Sequence, residues 1–150
     1  MHRHGARLTK TLTLITLDRG LAEDAAQEAF LQLHLHWREV PGMSDPVAWL
    51  YRVGINRCKD YRRALSRATR LVERLGQSAD DRAPGQWSPE ADFLAILRPL
   101  PKRQRTAAAL YYLAGLSTSE IATTLGISEG AVGSHLHKAR EALRKVLEAQ

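Results

Sequence analysis

Residues 116–144, LSTSEIATTLGISEGAVGSHLHKAREALR, constrain this chain more than any other stretch. Ser117 is a hydroxyl N-cap, and Glu120 three residues later can reach back to close a capping box. Ile121, Ala122 and Leu125 give a short apolar face. Gly126 ends that helix, because a left-handed C-cap suits a residue without Cβ. Ile127 plugs the turn, and Ser128 caps a second, longer helix. In that helix Val132, Leu136, Ala139, Leu143 and Val146 recur at helical spacing and face one core. The stretch predicts a helix-turn-helix.

The other face of the second helix carries Gly130, Ser134, His137, Lys138 and Glu141, with Gly133, Arg140 and Arg144 on a flank. A major groove admits one helix, and small, hydroxyl and basic side chains near its N-terminal half can reach base edges. An ordinary helical hairpin with a solvated charged face would share the periodicity. Two spaced caps, the Gly126 turn and a basic second helix together favour DNA binding.

Charge agrees with a polyanionic partner without choosing among DNA, RNA and a membrane surface. Lys and Arg total 22 against 16 Asp and Glu, a formal charge of +6. Residues 1–40 balance five basic with five acidic side chains. Residues 50–74 hold eight and two, and residues 98–150 hold eight and four. Two basic regions therefore flank an acidic-leaning middle. A chain of 150 residues, 44% hydrophobic, suits one average domain or two small ones. Cys58 is alone, which rules out an intramolecular disulfide, and within a helical pattern it reads as a small buried thiol. No signal peptide is recognisable, and Leu12 to Leu17 is far too short to span a bilayer. The chain is expected to be soluble and cytoplasmic, without membrane insertion.

At the start, HRHGARLTKTLTLITL looks like the tail of a helix, with Leu8, Leu12 and Ile15 as its apolar stripe. His2 and His4 lack further ligands nearby and read as a frayed terminus. Asp18-Arg19-Gly20 predicts a turn, followed by a helix from Leu21 to Trp37. Leu21, Ala25, Ala29 or Phe30, Leu33 and Trp37 make its buried stripe, and Asp24, Gln27, Glu28 and Gln32 its outer ridge. The residues alone leave that ridge open between a solvated face and a docking surface. Residues 38–46 form a loop punctuated by Pro41, Gly42 and Pro46, with Ser44 or Asp45 as the next cap. A long basic helix runs from Val47 to about Leu75. Trp49, Tyr51 and Tyr61 are interleaved there with Arg52, Arg57, Lys59, Arg62 and Arg63, a pattern that suits single-stranded nucleic acid. Core aromatics beside solvated arginines would look the same, and both readings stay open. Residues 76–89, rich in Gly, Pro and polar residues, read as a flexible linker in which Trp87 is unusual. A helix resumes from Glu90 to Arg98, Pro99 and Pro101 break it, and Lys102 to Leu113 form another.

Enzyme chemistry finds no foothold. No Gly-rich loop opens a helix to cradle phosphate. His34 with His36, and His135 with His137, are two apart on helices and so poor co-ligands for a metal. Asp80 and Asp81 lie in the linker, and Ser117 and Ser128 read as caps rather than nucleophiles. Neither a catalytic site nor a cofactor is expected.

With both basic helices placed, the chain resembles an ECF (extracytoplasmic function) sigma factor of bacterial RNA polymerase. Residues 22–30, AEDAAQEAF, with Trp37 and then DPVAWLYRVGINRCKDY, are similar to sigma region 2. Residues 99–140, PLPKRQRTAAALYYLAGLSTSEIATTLGISEGAVGSHLHKAR, are similar to sigma region 4. The resemblance implies an all-α fold of two small helical domains, residues 1–75 and 90–150, joined by the linker at 76–89. It implies that Asp24, Gln27, Glu28 and Gln32 dock on the polymerase. It implies that Trp49, Arg52, Asn56, Lys59, Asp60 and Arg63, with the 37–46 loop, bind the −10 element. Ser134, His137 and Lys138, with Gly133 and His135 on the same helix, would read the −35 element, with Arg140 and Arg144 near phosphates. Lys102, Arg103 and Arg105 would meet DNA backbone or the polymerase flap. The implied partners are bacterial core RNA polymerase, promoter DNA and an anti-sigma factor, and the free chain would be a monomer.

Three departures bear on these roles. Relatives start with more helix before the position of His4, so either packing of the first part is expected to be weaker here or the start codon is misassigned. They often carry Lys or Arg where this chain has Gly133, and Arg where it has His135. Gly133 also lowers helix propensity by roughly 1 kcal/mol relative to Ala, so weaker or altered −35 binding is expected. Two alternatives remain at this point. One is a helix-turn-helix regulator acting on duplex DNA without replacing a sigma factor, and the other is a sigma-like decoy that occupies polymerase without opening DNA.

Overall fold

A computed structural model of the chain describes residues 2–74 and 95–148, with side chains described at 5–68, 95–145 and 148. The expectations for the 76–89 linker, Trp87, residues 90–94, the His2 and His4 side chains and Val146 lie outside the described residues. Every regular element described is helical. The first part comprises α1 (His2–Thr16), α2 (Arg19–Leu35), a 3-10 turn (Trp37–Gly42) and α3 (Pro46–Arg74). The second comprises α4 (Lys102–Ala108), a π-helical turn (Ala109–Leu113), α5 (Thr118–Leu125) and α6 (Glu129–Glu148).

Helix α1 is more than a helical tail. Leu8, Leu12, Leu14 and Ile15 are all buried, between α2 and α3 on one side and the start of the second part on the other. Its threonines would disfavour a helix if left to compete for backbone bonds. Here Thr11 and Thr16, both buried, donate to the Arg7 and Leu12 carbonyls at 2.8 and 2.7 Å. Helix α2 packs against α1 and α3, and its buried alanines 22, 25, 26 and 29 have small side chains that allow close approach. Gly54 does the same for α3, since a Cβ there would lie 3.1 Å from Leu12 Cδ1.

Helix α2 starts two residues earlier than its apolar stripe suggests. Asp18 is its N-cap, accepting from the Leu21 N–H at 3.1 Å. Leu17, at φ 57°, turns the chain so sharply that no separate three-residue turn is needed. The far end differs as well. Trp37 is 57% exposed rather than buried, because α2 stops at Leu35 and the tighter 3-10 turn rotates it off the stripe. On α3, Asp45 rather than Ser44 supplies the cap, accepting from the Ala48 N–H at 3.0 Å. Tyr51 is only 2% exposed and hydrogen bonds with Thr11, and its burial pushes the phenol above its ordinary pKa. It is a core residue and presents no face to a base.

Local chemistry specifies the second part closely. Ser117 and Glu120 close the capping box at 3.1 and 2.8 Å, and Gly126 takes the left-handed C-cap at φ 68°. Ser128 accepts from the Ala131 N–H at 3.0 Å to start α6. Val132, Leu136 and Ala139 are fully buried, and Leu143 is half-buried. The helix expected from Lys102 to Leu113 instead widens into a π turn, in which the Ala114 N–H reaches the Ala109 carbonyl at 3.1 Å.

The two parts touch directly. Arg105, expected on a polymerase- or DNA-facing surface, is 6% exposed at their junction. Its guanidinium donates to the Leu14 carbonyl at 2.8 Å, the Ile15 carbonyl at 3.2 Å and the Leu100 carbonyl at 2.9 Å. Arg62 of α3 donates to the adjacent Thr16 carbonyl. The final carbonyls of α1 are thus closed by guanidinium groups, which also suit the negative end of the helix dipole. Burial, with Arg62 as the next cause, lowers the Arg105 pKa. Burial and the cations Arg62, Lys59 and Arg105 lower that of Lys102.

Candidate nucleic-acid and polymerase interfaces

On α3, Arg52, Asn56, Lys59, Asp60 and Arg63 follow one another at helical spacing, and all five are exposed. They form a mixed polar and basic face about three turns long. Trp49 begins this face one turn earlier but is half-buried, its ring tilted against His36 with centroids 5.9 Å apart. Trp49 and Arg52 also line a small pocket with Ser44, Asp45, Ala48 and, from α5, Thr123 and Thr124. The helix-turn-helix therefore covers one end of this face.

The acidic ridge of α2 is divided. Asp24 and Gln27 are exposed, whereas Glu28 is half-buried and carries two partners. Arg57 Nη2 donates to it at 2.6 Å and the Gln32 amide at 3.3 Å. Glu28 and Gln32 thus contribute to the α2–α3 contact as well as to the ridge. Arg57, read from the sequence only as one of the cations of the basic helix, is in fact the partner of Glu28, a pairing local pattern could not show because the two lie 29 residues apart. Gln27 lines a shallow groove with Gly5, Thr9, Glu23, Ala26 and Phe30.

On α6, Gly133, Ser134, His137, Lys138, Arg140 and Arg144 are all exposed, and His135 is half-buried. His137 Nε2 lies 3.4 Å from the Glu141 carboxylate. Nothing would crowd a side chain added at Gly133. Arg140 is more constrained than the sequence suggested, because its Nε donates to the Tyr112 hydroxyl at 2.7 Å. Tyr111 and Tyr112 are exposed residues of the π turn that sequence reasoning passed over. Adjacent tyrosines just before a helix-ending glycine were the only available signal. Cys58 is buried, as expected, and burial pushes its thiol up to about 11, so it stays protonated at neutral pH. Among the described residues no group of three or more His, Cys, Asp or Glu could hold a metal ion. No described helix is long and apolar enough to cross a membrane.

The molecule thus has two helical parts, one with an exposed polar and basic helix face and one with a helix-turn-helix. The family comparisons agree part by part. Sigma-70 region 2 matches residues 1–68, and Sigma-70, region 4 matches residues 90–143. The ECF RNA polymerase sigma factor SigL of Mycobacterium tuberculosis is 35% identical over 97% of this chain and 85% of its own length. The RNA polymerase sigma-E factor of Streptomyces coelicolor is 33% identical over 86% of this chain and 73% of its own. Among solved structures, the sigma factor RpoE in complex with the anti-sigma factor NepR from Bartonella quintana aligns with a TM-score of 0.71 at 22% identity. That alignment covers 97% of this chain and 92% of the other. CnrH in complex with the cytosolic domain of CnrY aligns at 0.63 and 27% identity, covering 99% and 85%. The chain belongs to the ECF group of the sigma-70 family. It is a non-enzymatic factor that acts with core RNA polymerase to direct promoter-specific transcription initiation through regions 2 and 4.

Proposed function

We propose a division of labour along the chain, with residues 1–75 serving −10 recognition and polymerase binding, 76–89 as linker and 90–150 serving −35 recognition. The exposed α3 face of Arg52, Asn56, Lys59, Asp60 and Arg63 carries the −10 assignment. Five polar or charged side chains on one surface, beside the partly sheltered Trp49, suit an unpaired strand whose phosphates need cations and whose bases need a stacking partner. Asp24 and Gln27 of α2, with Glu28 and Gln32 behind them, dock on the polymerase.

In the second part, Ser134, His137 and Lys138 enter the major groove, with Gly133 and His135 on the same helix and Arg140 and Arg144 at phosphates. The protein works in the cytoplasm and is monomeric when free. An anti-sigma factor is a further partner, an assignment supported by the likeness to a sigma factor solved with one.

Run-off transcription with bacterial core polymerase on a promoter library tests this reading. Discrete start sites sharing two spaced upstream elements are expected only when the protein is added. Polymerase binding without start sites would point to a decoy. Tight duplex binding without polymerase binding would point to an ordinary regulator.

A second test concerns the recognition helix alone. Gly133→Arg adds a cation on the DNA-facing flank where no neighbour obstructs it. It is expected to tighten binding to the −35 duplex and steepen the salt dependence by about one phosphate contact. No change in either would remove position 133 from the interface.

A further inference from the structure

Arg140 stands apart from the other cations of α6. Its guanidinium carbon lies 5.5 Å from the Tyr111 ring centroid and 6.0 Å from that of Tyr112. The two rings meet edge to face, 5.0 Å apart at 79°. The Tyr112 hydroxyl takes the Nε proton at 2.7 Å. That bond is the largest cause holding the Arg140 pKa above its ordinary value. All three side chains are exposed. Such a cluster on a surface does little for the core, yet it fixes a long side chain that would otherwise sample many rotamers.

The π turn at Ala109–Leu113 builds the cluster. Its wider winding places consecutive tyrosines on the outer side of the second part, beside α6. Insertions of this kind are frequent at functional sites. On α6, Arg140 lies two turns after Gly133 and one before Arg144, on the flank next to Ser134 and His137. With Nε held by the Tyr112 hydroxyl and the guanidinium lying over the Tyr111 ring, the two Nη groups make no hydrogen bond to the described residues. A guanidinium presented by its paired Nη donors fits two oxygens of a phosphate.

We propose that Tyr112, supported by Tyr111, is a positioning residue that presets Arg140 as a clamp for a DNA phosphate beside the recognition helix. This rests on the reading of α6 as the DNA-facing helix. The ordering of Arg140 is complete before DNA arrives, so association does not have to supply it. A protein carboxylate could use the same two donors. The flank shared with Gly133 and Arg144, on a helix whose outward face is largely polar and basic, favours DNA.

The test uses the full-length chain and a labelled duplex of arbitrary sequence, because phosphate contacts are independent of sequence. Affinity is measured by fluorescence anisotropy across a range of salt, and circular dichroism checks that each variant is folded. Arg140→Gln is expected to weaken binding and lower the salt slope by about 1. Tyr112→Phe keeps the ring and the Arg140 charge, so it should weaken binding about three- to tenfold with the slope unchanged. In the Arg140→Gln background, Tyr112→Phe should have no effect, since the two act as one unit.

Equal losses from Tyr112→Phe in both backgrounds would overturn the positioning role. Lys138→Gln separates the remaining outcomes. If it weakens binding and lowers the slope while Arg140→Gln does neither, the clamp fails and α6 keeps its DNA-facing role. If neither variant changes affinity or slope, the clamp and the reading of α6 fail together.

Discussion

Helix α5 and helix α1 are both short amphipathic elements, but their ends are closed by different means. Helix α5 carries its caps next to itself in the chain: Ser117 and Glu120 at the start, Gly126 at the end. Helix α1 ends at Thr16 with Leu17 in the left-handed region, a conformation that costs a non-glycine residue of the order of 1–2 kcal/mol. Its last carbonyls find donors on Arg62 and on Arg105, 46 and 90 residues or more further along the chain. Local caps let α5 close both its ends within its own stretch of chain. Distant caps make α1 a reporter of whether the two parts of the protein are together.

That contrast can be broken most sharply at Arg105. Arg105→Ala leaves three carbonyls without their donor and removes a buried contact between the parts. A loss of about 3 kcal/mol in urea unfolding is expected, together with a larger radius of gyration in solution scattering. Arg105→Lys should recover only part of this, because an ammonium lacks the planar fork that spans neighbouring carbonyls. If Arg105→Ala costs less than about 0.5 kcal/mol and leaves the radius unchanged, the end of α1 does not depend on the second part.

A smaller and purely local effect is expected at Ser117. Ser117→Ala removes the hydroxyl that accepts from the Glu120 N–H and should cost about 1 kcal/mol. Hydrogen exchange should quicken in α5 and leave α1 as protected as before. Faster exchange in α1 would show that the two parts are coupled through more than Arg105.

The smallest effect has the opposite sign. Leu17→Gly relieves the left-handed backbone at an exposed position, where little packing is lost. A gain of about 0.5 kcal/mol is expected after the extra unfolded-state freedom of glycine is set against the relieved strain. A destabilised variant would mean that the Leu17 side chain contributes more than its exposure suggests.

The same division between near and distant causes explains how the interfaces were legible. Arg52 through Arg63 could be placed on one face of α3 by counting, because helical spacing alone decides which side chains are neighbours. Counting could not tell that Tyr51, next to Arg52, is core, or that Trp49 rests on His36, since both depend on how α1 and the 3-10 turn meet α3. Glu28 looked like its neighbours Asp24 and Gln27 until Arg57 was brought beside it. Arg140 looked like a free cation until the π turn set Tyr112 against it.

By itself, the sequence determined the helices, the caps of the helix-turn-helix, the outward polar faces of α3 and α6 and the membership of an ECF sigma family. The helices, caps and faces follow from residues within a turn or two of one another, where spacing and side-chain chemistry suffice, and the family follows from two such local motifs standing in one order. The tertiary structure alone decided the meeting of the two parts at the end of α1, the covering of one end of the α3 face by α5, and which charged groups are held and which are free. Those outcomes depend on hydrogen bonds and burial between segments far apart in the chain, and no local pattern records which distant donor an orphan carbonyl will find.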